Sequence, residues 1–149
     1  MKLTDHFELS EFYNTSYKDL LEENKIESSK NIANIVKTAK MLEEIRSVVN
    51  TSVIITSGFR CENLNRTVGG VYNSKHLYGL AADIRFKHVQ LEYAFRLIIE
   101  SDIKSIRKCI LENVNGRSWI HVSYKEDESE PTEFYTTKNG KNYERVFKR

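Results

Sequence analysis

Lys108-Cys109-Ile110-Leu111-Glu112-Asn113-Val114-Asn115-Gly116-Arg117-Ser118-Trp119-Ile120-His121-Val122-Ser123-Tyr124 places an apolar run on each side of an Asn-Gly pair. Asn and Gly both tolerate positive φ, which a two-residue hairpin turn requires. Lys108–Glu112 and Trp119–Tyr124 are therefore expected to be antiparallel strands joined at Asn115-Gly116. Side chains alternate along a strand, so Trp119, His121 and Ser123 share one face, and Ile120 and Val122 the other. Working outward, Val53-Ile54-Ile55-Thr56 is a β-branched run that ends at Ser57-Gly58, and Ala82 to Phe86 gives a further strand. Phe134–Thr137 and Tyr143–Phe147 flank Asn139-Gly140 and predict a terminal hairpin. Two helices complete the pattern. In residues 28–49, Ile32, Ile35, Val36, Ala39, Leu42, Ile45 and Val49 form one apolar stripe, with Ser28 or Ser29 as N-cap. His88 to Ser101 is amphipathic through Leu91, Ala94, Phe95, Ile98 and Ile99. Residues 1–27 are polar, with one short helix opening at Ser10. The expected fold is α+β, an antiparallel-rich sheet of short strands flanked by two main helices, in a single domain spanning 1–149.

Composition narrows the class. The chain has 149 residues, 40% hydrophobic and 30% charged, which suits a globular protein. Lys and Arg number 23 against 21 Asp and Glu, a net charge of +2 that gives no phosphate-coating surface and no reason to expect nucleic acid. No run approaches the roughly 18 apolar residues of a membrane span. Nothing in Met1–Ser10 resembles the apolar core of a secretory signal, so the chain is expected to be made in the cytoplasm. The two cysteines, Cys61 and Cys109, are expected to be reduced thiols. Lys125–Glu133 reads as a charged, solvated loop. The sequence does not set an oligomeric state.

The chemistry lies in the histidines and the glycines. Gly58, Gly69, Gly70 and Gly79 are four of the six glycines, and they sit in a long irregular stretch, 57–82. Such loops are usually functional in compact domains. Of four histidines, His6 and His88 lack a partner at ligand spacing and are expected at the surface. His76 ends the glycine-rich loop, Asp83 follows in a strand, and His121 is a strand residue aimed at something specific. Two imidazoles and a carboxylate form a catalytic zinc set: three protein ligands leave the fourth position for water. Satisfied core and loop histidines are the structural alternative.

Read together, Ser57-Gly58-Phe59-Arg60, Leu64-Asn65, Val68-Gly69-Gly70, Ser74-x-His76-x-x-Gly79-x-Ala81-Ala82-Asp83 and Trp119-Ile120-His121-Val122-Ser123 resemble the zinc D-alanyl-D-alanine carboxypeptidase family. His6-Phe7-x-Leu9-Ser10-Glu11-Phe12 resembles the start of its small single-domain branch, common in phages. The resemblance implies the fold shared with the hedgehog signalling domain and one zinc ion per chain on His76, Asp83 and His121. It also implies an arginine near the metal, here Arg60, that holds a substrate carbonyl or carboxylate. Ser74 is expected to order the His76 loop as a hydrogen-bond donor.

One position departs from the family pattern. Many catalytic members carry an acid three residues before the last zinc histidine, as general base. Here that position is Ser118, whose hydroxyl does not accept a proton from water at neutral pH. The nearest upstream acid is Glu112, which strand alternation brings beside His121, so Glu112 is the candidate base. The expected function is zinc-dependent hydrolysis of an amide in peptidoglycan stem peptides, of carboxypeptidase or endopeptidase type. The protein would be a phage or prophage lytic protein, released by lysis or carried in a virion. The alternative is a catalytically degenerate module that keeps the fold and the metal as a structural or wall-binding virion component.

Overall fold

The structure is a computed structural model that describes residues 1–148. Five α-helices run Leu9–Tyr13 (α1), Leu21–Ser28 (α2), Ile32–Val49 (α3), Glu62–Thr67 (α4) and Leu91–Glu100 (α5). Six strands run Val53–Ser57 (β1), Ala81–Phe86 (β2), Ile106–Val114 (β3), Arg117–Tyr124 (β4), Glu133–Thr137 (β5) and Tyr143–Val146 (β6). They form one sheet in the order β1-β2-β4-β3-β5-β6. The fold is α+β, as the sequence predicts. Every pairing is antiparallel except β3 with β5, so the sheet is mixed. The two expected helices are present, and α3 and α5 pack on each other and on β4. Ile35, Met41, Leu42 and Ile45 of α3 are buried with Ala82, Ile84, Ile120 and Val122 of the sheet in one core. Asn115 (φ 51°) and Gly116 (φ 77°) both take the left-handed conformation that the central hairpin turn requires.

Three expectations need correction. The short helix near the start is capped at Glu8, through reciprocal bonds with Glu11, and Ser10 lies inside it. The helix expected over 28–49 begins at Ile32. Ser28 and Ser29 do not cap it, because their hydroxyls donate back to the Lys25 and Ile26 carbonyls at 2.7 and 2.6 Å and finish the preceding turns. Those turns belong to α2, which the apolar pattern missed because its buried residues, Asn24 and Ser28, are polar. Finally, 57–82 is less irregular than expected, since it contains α4 and a 3-10 turn over Lys75–Tyr78.

Two irregularities aim side chains at the site. Between Ile55 and Ser57 the register slips, so that Ser57 stands opposite Asp83. A second slip, between Ile106 and Lys108, turns Cys109 and Leu111 into the core and leaves Ile110 and Glu112 on the face shared with His121.

Candidate metal centre

Asp83 and His121 are direct cross-strand partners in β2 and β4. Both therefore project from the same face of the sheet. His76 reaches them from the 3-10 turn. Ser74 opens that turn by accepting the His76 backbone N–H at 3.2 Å, so it orders the loop as an acceptor, not as the donor expected. Gly79 closes the turn in the left-handed conformation (φ 75°). A Cβ there would stand 2.5 Å from Ile35 Cγ1, so a side chain is excluded twice over.

The three ligand atoms lie within 4.8 Å of one another. His76 Nε2 is 3.4 Å from Asp83 Oδ1, and His121 Nδ1 is 2.9 Å from the same oxygen. Tetrahedral zinc with bonds of about 2.0–2.2 Å holds its ligand atoms roughly 3.4 Å apart. The protonation pattern points the same way. His76 Nδ1 lies 2.7 Å from the Gly58 carbonyl oxygen, which only accepts, so Nδ1 carries the proton. Burial pushes the His76 pKa down, which keeps the ring neutral at neutral pH. Nε2 then presents a bare lone pair. It is buried without a hydrogen-bond partner and faces a carboxylate oxygen. Two acceptors turned on each other in a buried site call for a cation between them. Burial works to raise the Asp83 pKa, but its polar surroundings outweigh it and hold the carboxyl below the usual range, so it stays ionised. The donor set thus fits zinc. Side-chain exposure rises from 3% at His76 through 12% at Asp83 to 21% at His121, so the centre opens on the His121 side.

Arg60 braces the carboxylate. Its Nη2 donates to Asp83 Oδ2 at 3.2 Å, which turns Oδ1 toward the histidines. Nε donates to Ser57 Oγ at 3.0 Å and Nη1 to Asn65 Oδ1 at 3.2 Å. A guanidinium has five N–H groups, so two remain for another oxygen. Burial draws the Arg60 pKa down, against Asp83 and Glu112, which hold it up.

Residues 6–123 match the family described as Peptidase M15. The chain belongs to the M15 peptidase family. This is the zinc D-alanyl-D-alanine carboxypeptidase-like family that the motifs resemble, and His76, Asp83 and His121 form a group that could hold a metal ion. No curated protein matches the chain. The M15 match ends at residue 123, so β5 and β6 extend the sheet beyond it.

Glu112 lies on the His121 face, directly opposite Trp119, whose indole donates to its Oε2 at 3.0 Å. Burial raises its pKa, and the charges of His121, Asp83 and Arg60 all act on it. Ser118 does not share that face. Its β4 parity is that of Ile120 and Val122, and its hydroxyl donates to Asn113 Oδ1. Cys61 and Cys109 are both buried and free, and burial pushes both thiols up, away from nucleophilic use. His88 is exposed as expected. His6 is also exposed, but it pairs with Glu43 at 2.7 Å, a partner 37 residues away that no local spacing reveals.

Asn24 gives no functional signal in the sequence. It is fully buried, and it donates to the Tyr13 and Phe59 carbonyls at 2.7 and 3.1 Å while accepting the Cys61 N–H at 2.7 Å. It thereby ties α2 to the segment that carries Arg60. Asn24→Ala leaves three buried backbone groups unpaired, at about 1–3 kcal/mol each. A loss of at least about 3 kcal/mol is expected, which lowers Tm by roughly 6–12 °C for a chain of this size. An unchanged melting curve would remove Asn24 from this role.

Proposed function

We propose that the chain is a zinc metallopeptidase, with one ion per chain, that hydrolyses an amide bond in peptidoglycan stem peptides as a carboxypeptidase or endopeptidase. The convergence of His76 Nε2, Asp83 Oδ1 and His121 Nδ1, beside a cleft that Asp83 and Arg60 line, carries this reading. The phage-like opening residues support a lytic role in a phage or prophage, with the protein made in the cytoplasm and acting after lysis or from a virion. No helix among the described residues is long and apolar enough to cross a membrane.

His76, Asp83 and His121 would hold the zinc ion, which would supply polarisation of the scissile carbonyl and a more acidic attacking water. The chain's own residues do the rest. The two free N–H groups of Arg60 stabilise negative charge on the substrate oxygen as the amide is attacked. Glu112 is the proton carrier. It sits one strand over from His121 and two residues along, a diagonal neighbour that long side chains bridge. The Trp119 indole holds Oε2 and leaves Oε1 to take a proton from the water and pass it to the leaving amine.

The direct test is incubation of the zinc-loaded protein with purified sacculi, with new amino groups and released D-alanine measured over time. Release that stops with a chelator and returns with zinc supports the reading. Intact sacculi of several wall types after long incubation would overturn it. Arg60→Lys is expected to lower kcat by about 10²-fold, because lysine keeps the charge but loses the fork that holds Asp83 and faces the substrate. Steady-state kinetics at matched zinc content checks this, and an unchanged kcat returns Arg60 to a bracing role alone.

A further inference from the structure

A cavity of about 730 Å³ opens beside the metal ligands, between the Asn14–Tyr17 segment, α4 and the open face of β1, β2 and β4. Its charged lining is Arg60, Asp83, Arg85 and Arg117. Asp83 is already matched by Arg60 and is taken up in the donor set with His76 and His121. Arg85 donates only to the Ser118 carbonyl, and Arg117 is exposed at the hairpin turn. Among the described residues neither makes an ion pair. The cleft therefore holds two arginines with no acid to answer them.

Their place on the strands sets what they meet. Arg85 has the parity of Asp83 in β2, and Arg117 that of His121 in β4, so all four project from one face. At roughly 3.3 Å per residue, Arg85 lies about 7 Å along from Asp83, and Arg117 about 13 Å along from His121. An extended peptide rises at nearly the same rate. Trp119 and Tyr17 line the same cavity and give such a peptide apolar surface to lie on.

We infer that Arg117 and Arg85 form a specificity subsite for a free carboxylate on the substrate, two to four residues from the amide that is cut. This rests on the peptidase reading and refines it. The guanidinium fork matches a carboxylate with paired N–H bonds, whereas the carboxamide of an amidated stem peptide brings no charge and turns an NH₂ toward donors.

The test uses two stem pentapeptides that differ only at the γ-linked D-glutamate, with its α-carboxyl free in one and amidated in the other. Trp119 is the chain's one tryptophan, so its fluorescence in stopped flow reports occupancy of the cleft before any turnover. The wild-type protein is expected to bind the acid about 10-fold or more tightly than the amide, the weight of one charge-assisted hydrogen bond. The difference should appear in KM and not in kcat. Arg117→Gln should shrink the preference toward one and Arg117→Glu should reverse it. Arg117 is exposed and unpaired, so both variants should melt like the wild type. Arg85→Gln should act in the same direction as Arg117→Gln. Equal binding of the two peptides by the wild type, or a preference unmoved in Arg117→Glu, overturns the inference. Preferential binding of the acid with neither peptide cleaved supports the subsite and overturns the hydrolytic reading instead.

Discussion

His121→Ala is expected to abolish stoichiometric zinc and, with it, hydrolysis. The variant keeps His76 and Asp83 but leaves two protein ligands where three converge. A two-ligand site holds the metal far more weakly and no longer fixes its position relative to Arg60. The wild-type protein should carry close to one zinc per chain by elemental analysis, and His121→Ala close to none. Stability supplies a second reading. Zinc at about 1,000 times its dissociation constant stabilises the folded state by about 4 kcal/mol when the unfolded chain does not bind it. For a chain of this length that corresponds to a rise in Tm of roughly 8–16 °C. Chelation should remove this increment from the wild type, and added zinc should restore it. His121→Ala should melt at one temperature with or without the metal. A wild-type curve that ignores both chelator and zinc would rule out the metal centre, whatever the family.

The physical reason for so large an effect is in the geometry of the donor atoms. His76 Nε2, which has no hydrogen-bond partner, faces Asp83 Oδ1, and Gly58 and Arg60 hold the two side chains in that pose from behind. The protein maintains this repulsion through a buried network, and a cation relieves it. Much of the arrangement was legible beforehand. Period-two alternation alone placed His121 apart from Ile120 and Val122, and the Asn-Gly pair located the hairpin that presents it. His76 stood out because histidine is scarce in this chain, and Asp83 because it follows His76 at i+7 inside a strand signal. What escaped reading was polar or irregular. Asn24 does its work inside a helix with no apolar stripe, and the strand slips at Ser57 and Lys108 depend on three-dimensional pairing. The parallel joining of β5 to β3 was also out of reach, since local hairpin signals say nothing about which strand a hairpin docks on. The arginine-lined cleft escaped for the same reason: Arg85 and Arg117 are far apart in sequence and become neighbours only through the register of β2 and β4.

Glu112→Gln separates an enzyme from a module that only keeps the metal. Glutamine preserves the size and the acceptor for the Trp119 indole, so the fold and the zinc should stay. It does not take a proton. A general base typically contributes about 10²–10⁴-fold, and kcat should fall by that amount at unchanged zinc content. The pH profile gives the sign. Glu112 must be ionised to act, and burial raises its pKa above the ordinary carboxylate value, against the pull of His121 and Arg60. The rate in the wild type should therefore fall as pH drops through a value above 4.5, and Glu112→Gln should lack that limb. Ser118→Asp is the complementary experiment. The family pattern would make it a gain, but here position 118 has the parity of Ile120 and bonds Asn113 on the face away from His121. Ser118 reaches the edge of the cleft, but its side chain is turned to Asn113, so an aspartate at 118 is expected to restore nothing to Glu112→Gln and to add nothing to the wild type. Rescue of Glu112→Gln by Ser118→Asp would show that a side chain at 118 turns from Asn113 into the cleft and carries the proton. Full activity in Glu112→Gln alone would remove Glu112 from the mechanism while leaving the His76, Asp83 and His121 centre intact.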